Sequence, residues 1–543
     1  MTPSPFGAEV IIIENARIYT MDRHMPVLEA LAWRDGHILN PGAGATESLA
    51  KAGRALRVDL QGRTVIPGLI DAHIHFLSYS RSLTKIDLDG VASKEEALAM
   101  VAARAREVGP GQWVLGGGWN NNLWSPPDFP TRHDLDRVAP ANPVLLDRKD
   151  LHSCWINSLA LERGGIDRET PDPPGAAIGR DEAGEPDGML YESAVRLARD
   201  AVDEPPPDDL AAMRRGMQMV ASMGLTGIHA PEGPDAFSAF QYLEASGELG
   251  LRVAMLLPYW GLDDAIKLGL RTGFGSERLA IGPVKIFSDG SLGSRTAEML
   301  EPYEGEREYR GIGTIPQEEL EAAVVRAAAA GIPSAIHAIG DAANRRVLDA
   351  FQKAREKEEP GPGGPLLHRI EHAQLLHPDD IPRFAALGVA ASMQPLHATS
   401  DMRAADRLWS ERSRYGYAWR SLLDARALVA FGSDAPVETP NPFAGIHAAV
   451  TRQDAQDQPE GGWHPQERIT VEEAVRAYTE SAARSAPYLP GVTGTLAAGS
   501  VTDLVVLDRD IFAVDPAEIK EARPLATVVG GEAMYDPGGM FGV

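Results

Sequence analysis

Residues 65–76 read VIPGLIDAHIHF, an apolar run that ends in two histidines one residue apart, His73 and His75. On a β-strand, residues i and i+2 point to the same face of the sheet. We therefore expect the two imidazole rings to project together where the apolar run ends. Two imidazoles that converge from one strand form half of a metal site, although two structural histidines would show the same spacing.

Three segments of the chain resemble motifs of one known group of enzymes. The first, PGLIDAHIH at residues 67–75, is similar to the opening metal motif of the amidohydrolase superfamily. The other two are VKIFSDGSLGSR at residues 284–295 and SMQPLHA at residues 392–398. They are similar to the branch that contains N-substituted formamide deformylase-like and other metal-dependent hydrolases. The resemblance extends over nearly the whole chain.

Length and charge restrict the class of protein. A chain of 543 residues is too long for one simple core and predicts two or more domains. The 52 Lys and Arg residues against 77 Asp and Glu residues give a net charge of −25, which would repel phosphate backbones and anionic membranes. We therefore expect a small-molecule substrate and no nucleic-acid or membrane partner. A homo-oligomer is compatible with the sequence.

The cysteine content and the N-terminal residues bear on the cellular compartment. Cys154 is the single cysteine, so neither an intrachain disulfide nor a Cys-rich zinc site can form. The apolar residues 10–13 lie between Glu9 and Glu14 and are too few for the core of a signal peptide. No apolar run of the sequence is long enough to span a bilayer. These features predict a cytoplasmic protein.

Alternating apolar and helical segments predict an α/β protein with a (β/α)₈ TIM barrel over residues 65–487. β-rich segments at residues 1–64 and 488–543 predict a small composite β-sandwich domain from both ends of the chain, as the resemblance also implies. Residues from about 87 to 203, which contain a Pro-, Gly- and Asp-rich stretch at residues 171–188, are predicted to be an insertion over the barrel mouth. The predicted strands of the middle region are 113–115, 143–147, 225–229, 252–257, 284–287, 333–337, 369–372, 389–393 and 428–431.

Functional side chains of such a barrel lie at the C-terminal ends of its strands. Six polar residues follow or close apolar runs and are expected there: His73, His75, Lys285, His337, His372 and Asp434. Four histidines at strand ends are hard to explain without a metal, so His73, His75, His337 and His372 are predicted ligands, and the resemblance adds Lys285 to them. Zinc suits this set of histidine and carboxylate ligands best, as one ion or two.

Lys285 lies between Val284 and Ile286 on a predicted buried strand, where an unpaired ammonium group would be costly. One interpretation is a buried ion pair with Asp289 or another acid. The other is a desolvated, neutral amine that has reacted with carbon dioxide. The resemblance implies that such an N6-carboxylated Lys285 bridges two metal ions.

Asp434, in the segment FGSDAP at residues 431–436, is the predicted general base. A metal ion lowers the pKa of its water ligand to about 7. Asp434 would take the proton of that water as hydroxide attacks a carbonyl carbon, and would return it to the leaving nitrogen. A helix N-cap or a turn aspartate would fit the same segment.

Several other polar residues have weaker support from the sequence. Predicted substrate contacts from the insertion or the barrel mouth are Trp119, His152, Arg295 and His397. Packing or loop hydrogen bonding is the simpler explanation for each of them. Glu371 and Asp341 are candidates, by their position in the sequence only, to hold the second ring nitrogen of His337 and His372. His229 also closes a predicted strand, but no motif supports a role for it.

Together these patterns predict a metal-dependent hydrolase of carbon–nitrogen bonds in non-peptide amides. N-substituted formamides are the substrates that the resemblance suggests. The same barrel is also compatible with a deaminase, an ester or lactone hydrolase, or an isomerase, and a non-catalytic binding protein is a more remote alternative. The sequence motifs of P-loop, dinucleotide-binding and serine-hydrolase proteins are absent.

Overall fold

The computed structural model of the protein describes residues 10–39, 42, 44, 55–88, 90–148, 153–173, 176–202, 208–357 and 365–542. Its internal contacts divide the chain into two compact units. The larger unit comprises Met1–Tyr79 and Met213–Val543, and the smaller unit comprises Ser80–Ala212.

β-Strands occur in both units. In chain order they are β1 (Val10–Glu14), β2 (Arg17–Tyr19), β3 (Val27–Leu28), β4 (Leu31–Arg34), β5 (His37–Ile38), β6 (Ala55–Asp59), β7 (Thr64–Pro67), β8 (Leu69–Asp71), β9 (Ile86–Asp87), β10 (Val114–Trp119), β11 (Val144–Arg148), β12 (Ser153–Ile156), β13 (Ala177–Arg180), β14 (Pro186–Tyr191), β15 (Leu225–Ala230), β16 (Arg252–Pro258), β17 (Leu279–Phe287), β18 (Ser334–Ala338), β19 (Arg369–His372), β20 (Ala390–Met393), β21 (Leu428–Phe431), β22 (Leu504–Leu507), β23 (Pro524–Val529) and β24 (Glu532–Tyr535).

The α-helices are likewise spread over both units. In chain order they are α1 (Phe76–Ser82), α2 (Lys94–Val108), α3 (Arg132–Asp136), α4 (Ser158–Arg163), α5 (Val195–Arg199), α6 (Asp209–Ser222), α7 (Pro234–Ala245), α8 (Leu262–Lys267), α9 (Gln317–Ala329), α10 (Asp341–Arg355), α11 (Ile381–Leu387), α12 (Pro395–Trp409), α13 (Trp419–Asp424), α14 (Pro442–Thr451), α15 (Val471–Ala477) and α16 (Glu480–Ser485). Within the described ranges, none of them combines the length and the apolar content that crossing a membrane requires.

The larger unit contains, within its described residues, a sheet of eight parallel strands in the order β21-β20-β19-β18-β17-β16-β15-β8. Just beyond the two edge strands, the N–H of Ala72 donates to the carbonyl of Phe431 at 3.0 Å. This contact brings β8 and β21 together, so the sheet is a nearly closed barrel. The predicted α/β barrel is therefore confirmed.

The barrel strands and helices form where the sequence pattern favours them. Strands β15, β19 and β20 are buried at every position, as expected for parallel strands covered on both faces. Helix α9 is rich in alanine, a strong helix former, and buries Leu320, Val324 and Ala327 at helical spacing.

Residues 64–71, at the start of the VIPGLIDAHIHF segment, form two strands that join different sheets. β7 pairs with β2 and β22, whereas β8 is a barrel strand that pairs with β15. Gly68 separates them, and a Cβ atom there would lie 2.2 Å from Oγ1 of Thr226, so only glycine fits. Because β8 ends at Asp71, His73 and His75 follow the strand instead of lying on it, which corrects our expectation.

The smaller unit has its own sheet in the order β13-β14-β12-β11-β10-β9. Its strands β10 and β11 are the segments 113–115 and 143–147 that we predicted among the barrel units, and that prediction was wrong. Alternation of strand and helix predicts that a strand forms, but not which sheet it joins. The role of residues 87–203 as a cover over the barrel mouth stays a prediction.

Strands from both ends of the chain share a sheet in the order β24-β23-β22-β7-β2-β3. A second sheet, β5-β4-β1-β6, contributes Ile13 and Trp33 to a hydrophobic cluster that also contains Val65 and Val506 of the first sheet. These contacts support a composite β domain, and its boundaries at residues 1–64 and 488–543 stay a prediction.

Candidate functional site

Polar side chains collect at the C-terminal ends of the barrel strands, as the sequence predicts. They come from β8, β17, β18, β19 and β21 or from the residues that follow these strands, and they are His73, His75, Lys285, His337, His372 and Asp434. Since the strands are parallel, these ends all lie at one end of the barrel.

Asp434 lies between several imidazole rings. Its Oδ1 is 3.3 Å from Nε2 of His75 and 3.6 Å from Nε2 of His73. Its Oδ2 is 3.8 Å from Nε2 of His397. In the described part of the chain, this carboxylate belongs to two groups of candidate ligand atoms. Within each group, the ligand atoms all lie within 4.8 Å of one another. One adds His73 and His75, and the other adds His372 and His397.

His372 brings the remaining histidines into contact. Its ring centroid is 5.0 Å from that of His73 and 4.6 Å from that of His337. The ring of His397 lies 6.0 Å away at an interplanar angle of 15°. His397 was predicted as a substrate contact, and the structure places it beside Asp434 with the predicted ligands.

Three of the predicted histidine ligands have one ring nitrogen bonded to an acceptor of the protein. The pairs are His73 Nδ1 with Oε2 of Glu371 (2.5 Å), His372 Nδ1 with Oε1 of Gln394 (2.9 Å), and His337 Nε2 with the carbonyl of Gly290 (2.9 Å). In each pair, the N–H of a neutral ring donates to the acceptor, which leaves the lone pair of the opposite ring nitrogen available. This is the arrangement of histidines that ligate a metal.

Burial keeps these imidazoles uncharged. It lowers the pKa of His73 to about 4 and that of His337 to about 3. The pKa of His372 is also held well below its usual range, chiefly by burial. At neutral pH the rings are therefore in the form that binds a metal.

Lys285 is buried, and its Nζ has no hydrogen-bond partner among the described residues. Burial lowers its pKa to about 8, while the charges of Glu371 and Asp434 act in the opposite direction. The ion pair with Asp289, one of two interpretations of this lysine, is not formed between these described residues. Asp289 instead accepts hydrogen bonds from the backbone N–H groups of Glu298, Ile339 and Gly340.

The backbone around Asp434 is strained and closely packed. Asp434 has a φ of 59° and donates its N–H to the carbonyl of His73 at 2.7 Å. At Gly432, a Cβ atom would lie 2.5 Å from the backbone nitrogen of His73. The following helix, α14, has Asn441 as its N-cap, so Asp434 does not fill that structural role.

The carboxyl group of Asp434 is ionised at neutral pH. Burial by itself raises its pKa, but a hydrogen bond from His75 and the neighbouring His73, His372 and His397 lower it below the usual range. Neutral imidazoles with a free nitrogen and a buried amine without a hydrogen-bond partner form a donor set that fits a divalent metal, and the carboxylate of Asp434 lies beside this set.

The other predicted substrate contacts have partners of their own or cannot be described. Trp119, in the smaller unit, is fully buried, donates its indole N–H to the carbonyl of Leu146 at 2.9 Å and stacks on Trp124. Arg295 forms an ion pair with Glu306. His152 lies outside the residues that the structure describes. Substrate contact by these three residues stays a prediction.

Some contacts of the site were missed or misplaced in the sequence analysis. Gln394 holds His372, and Arg369 bonds Glu371. Arg369 is two residues before Glu371 on β19 and therefore shares its face, which is a signal that the sequence contains. The two acids predicted to hold His337 and His372 do not do so: Glu371 bonds His73 instead, and Asp341 accepts the N–H of Leu300 at 2.8 Å.

Comparisons with known proteins identify the family to which the chain is similar. The model of the amidohydrolase family matches residues 57–535. Protein LONG AFTER FAR-RED 3 of Arabidopsis thaliana is 35% identical over 98% of this chain and 93% of its own. N-substituted formamide deformylase of Arthrobacter pascens is 28% identical over 97% of this chain and 98% of its own.

A solved structure extends the comparison to the fold. The crystal structure of an uncharacterised metal-dependent hydrolase from Pyrococcus furiosus superposes with a TM-score of 0.72 and 29% sequence identity. The match covers 93% of this chain and 100% of that chain. The family model, the relatives and the barrel all agree with the resemblance noted in the sequence: the chain belongs to the amidohydrolase family.

Proposed function

We propose that the protein is a metal-dependent hydrolase that cleaves the carbon–nitrogen bond of non-peptide amides, with N-substituted formamides as the first substrates to test. The observation that carries the proposal is the carboxylate of Asp434 beside His73, His75 and His372, two of which, His73 and His372, have the other ring nitrogen bonded to a protein acceptor. The similarity to a formamide deformylase and to a metal-dependent hydrolase supports the reaction class.

The residues proposed to hold the metal, one zinc ion or two, are His73, His75, Lys285, His337 and His372. A divalent ion bound there supplies a Lewis acid that polarises the amide carbonyl and lowers the pKa of water. The buried Nζ of Lys285 has no hydrogen-bond partner among the described residues and lies 4.8 Å from the centroid of the Phe287 ring, so we propose that it is available for carboxylation. A carboxylated Lys285 would then help to hold the metal with anionic oxygen atoms, as in the second interpretation of this lysine.

Asp434 is the proposed general base. As water attacks the carbonyl carbon, a carboxylate oxygen of Asp434 accepts the proton of the water and then delivers it to the leaving nitrogen. The carbon–nitrogen bond breaks, and a carboxylate (formate from a formamide) and an amine are released. His397 is proposed to bind the substrate through Nε2, which has no hydrogen-bond partner among the described residues and lies 3.8 Å from Oδ2 of Asp434, while Gln374 bonds Nδ1 at 3.4 Å.

The first experiment measures the metal content per chain of the protein and of Lys285→Ala, both purified with zinc and bicarbonate. We expect about two ions in the parent and fewer in the variant. Lys267→Ala, which removes an exposed lysine paired with Asp264, is the matched control and should keep the parent content. Equal content near one ion in all three would remove the carbamate from the proposal, and absence of metal from all three would overturn the proposed function.

A substrate panel tests the bond that is broken. N-substituted formamides, esters and lactones are offered to the zinc-loaded enzyme, and formate and amine are measured as products. We expect turnover of formamides that a chelator abolishes and zinc restores. Hydrolysis of the esters or lactones alone would contradict the assignment to carbon–nitrogen bonds.

A further inference from the structure

We infer that Arg369 is a positioning residue of the metal site, because it fixes Glu371 and, through Glu371, the ring of His73. The inference rests on the proposed metal-dependent function. It gives roles to Arg369 and to His229, which take no part in the proposed transfer of the proton. Neither residue faces the reacting atoms in the proposed mechanism.

The guanidinium of Arg369 is fully buried and uses each of its nitrogen atoms as a donor. Nε donates to Oε1 of Glu371, and Nη2 donates to Oε2 of Glu371 at 3.0 Å and to the carbonyl of Ala72 at 2.6 Å. Nη1 lies 2.8 Å from Nδ1 of His229. Because a guanidinium cannot accept a hydrogen bond, Nδ1 of His229 is the acceptor. The guanidinium is therefore held on three sides.

The bidentate contact with Arg369 fixes the plane of the Glu371 carboxylate. It thereby fixes Oε2, which is 2.5 Å from Nδ1 of His73. A rigid acceptor at Nδ1 sets both the tautomer and the rotation of the His73 ring. The opposite nitrogen, Nε2, then lies 3.6 Å from Oδ1 of Asp434, where the metal is proposed to bind.

Stability does not account for this buried pair. Moving two charges out of water opposes their attraction, so an apolar pair of similar size would stabilise a barrel interior as well or better. Arg452 shows what a structural arginine looks like in this chain. It is equally buried, but it donates to the backbone carbonyls of Trp463 and Tyr417, and its Cζ lies 4.4 Å from the ring of Trp419.

The test compares Arg369→Met with Arg452→Met as the matched control. The zinc dissociation constant is measured by competition with a chelator well below the unfolding temperature, and the thermal unfolding of the metal-free proteins is recorded alongside. Mutating the outer-shell groups that hold a ligating histidine weakens metal binding by about 10–100-fold. We expect a loss in this range for Arg369→Met, because Glu371 is then no longer held in the orientation that fixes His73. Arg452→Met should unfold at a lower temperature and keep the parent affinity for zinc.

Two further variants keep the inference testable if Arg369→Met does not fold. The double variant Arg369→Met/Glu371→Gln removes both charges of this pair, so neither is left without its counter-ion, and the amide oxygen can still accept from His73. Arg369→Lys keeps the charge but loses the bidentate contact. We expect weaker zinc binding in both, with Arg369→Lys nearer to the parent.

The outcomes separate the inference from the proposed function. Zinc affinity equal to that of the parent in Arg369→Met, or in the double variant, would overturn the positioning role while the proposed function stands. A parent protein that binds no zinc would overturn the proposed function and this inference together. Equal loss of zinc affinity in Arg452→Met would also overturn the inference, because any buried arginine would then have the same effect.

Discussion

Asp434 is the residue whose replacement best separates chemistry from metal binding. Asp434→Asn keeps the size and an oxygen atom of the side chain but cannot accept a proton at neutral pH. We expect kcat to fall by about 10²–10⁴-fold, the usual contribution of a general base, while zinc content stays at the parent value. Both quantities are measured on the same preparation.

The control for this variant is Asp380→Asn. Asp380 is also buried, but it pairs with Arg345 and Arg383 outside the site. This variant should keep kcat per folded molecule, even if its unfolding temperature falls. Parent-like turnover in a fully metal-loaded Asp434→Asn would show that another group takes the proton.

At the scale of single residues, the sequence predicts the candidates for the site but not their partners. His337 and Asp434 could be selected because each closes or follows an apolar run, which is a local pattern. The contact between Glu371 and His73 joins residues 298 positions apart, and that between Gln394 and His372 joins residues 22 apart. Such pairs are created by the closure of the barrel, so no local pattern shows which acceptor meets which ring.

Among the elements, strand positions could be predicted more closely than sheet membership. The predicted strands 369–372 and 428–431 match β19 and β21 at both ends. The segments 113–115 and 143–147 form strands as well, but they join the sheet of the smaller unit. The apolar pattern of a segment indicates that it forms a strand. Which strand it pairs with depends on the path of the chain between the two strands, which a local pattern does not show.

His368 links the starts of two barrel strands and makes their stability depend on pH. Its Nδ1 accepts the N–H of Ser334 at 3.1 Å, and its ring stacks on Phe351 at 4.7 Å. Burial lowers the pKa of His368 to about 3. In the unfolded chain the pKa is about 6.5, so below that pH the unfolded state binds a proton that the folded state excludes. The contribution of His368 to the free energy of unfolding is therefore fully present above pH 6.5 and is lost as the pH falls toward 3.

His368→Asn should reduce this pH dependence, because the asparagine oxygen can accept from Ser334 and does not titrate. Between about pH 6 and pH 4, we expect the free energy of unfolding of the parent to fall more steeply than that of the variant, by at most about 1.4 kcal/mol per pH unit. Urea unfolding of the metal-free proteins measures both slopes. His377→Asn, which replaces a more exposed histidine beside Asp379, is the control and should keep the parent slope. Equal slopes in all three proteins would contradict the assignment.

At the scale of the whole molecule, a buried ion pair connects the C-terminal segment to the barrel. Arg252, at the start of β16, donates to both carboxylate oxygens of Asp503, at 2.7 and 3.1 Å. The carbonyl of Asp503 also accepts the N–H of Gly68, where residues 64–71 divide between two sheets. The β-rich ends of the chain could be predicted from their apolar segments. This contact could not, because it joins residues 251 positions apart.

Breaking this ion pair should destabilise the larger unit without changing the site. Asp503→Asn leaves the guanidinium of Arg252 buried without its counter-ion, which costs about 3–5 kcal/mol in comparable cases. We therefore expect a lower unfolding temperature, with zinc affinity and kcat per folded molecule as in the parent. Arg252→Met/Asp503→Leu removes both charges and should recover most of the lost stability. Glu248→Gln, which breaks the exposed pair with Arg214, is the control and should change the unfolding temperature little. If the unfolding temperature of Asp503→Asn is no lower than that of Glu248→Gln, loss of this counter-ion does not destabilise the larger unit and the prediction is wrong.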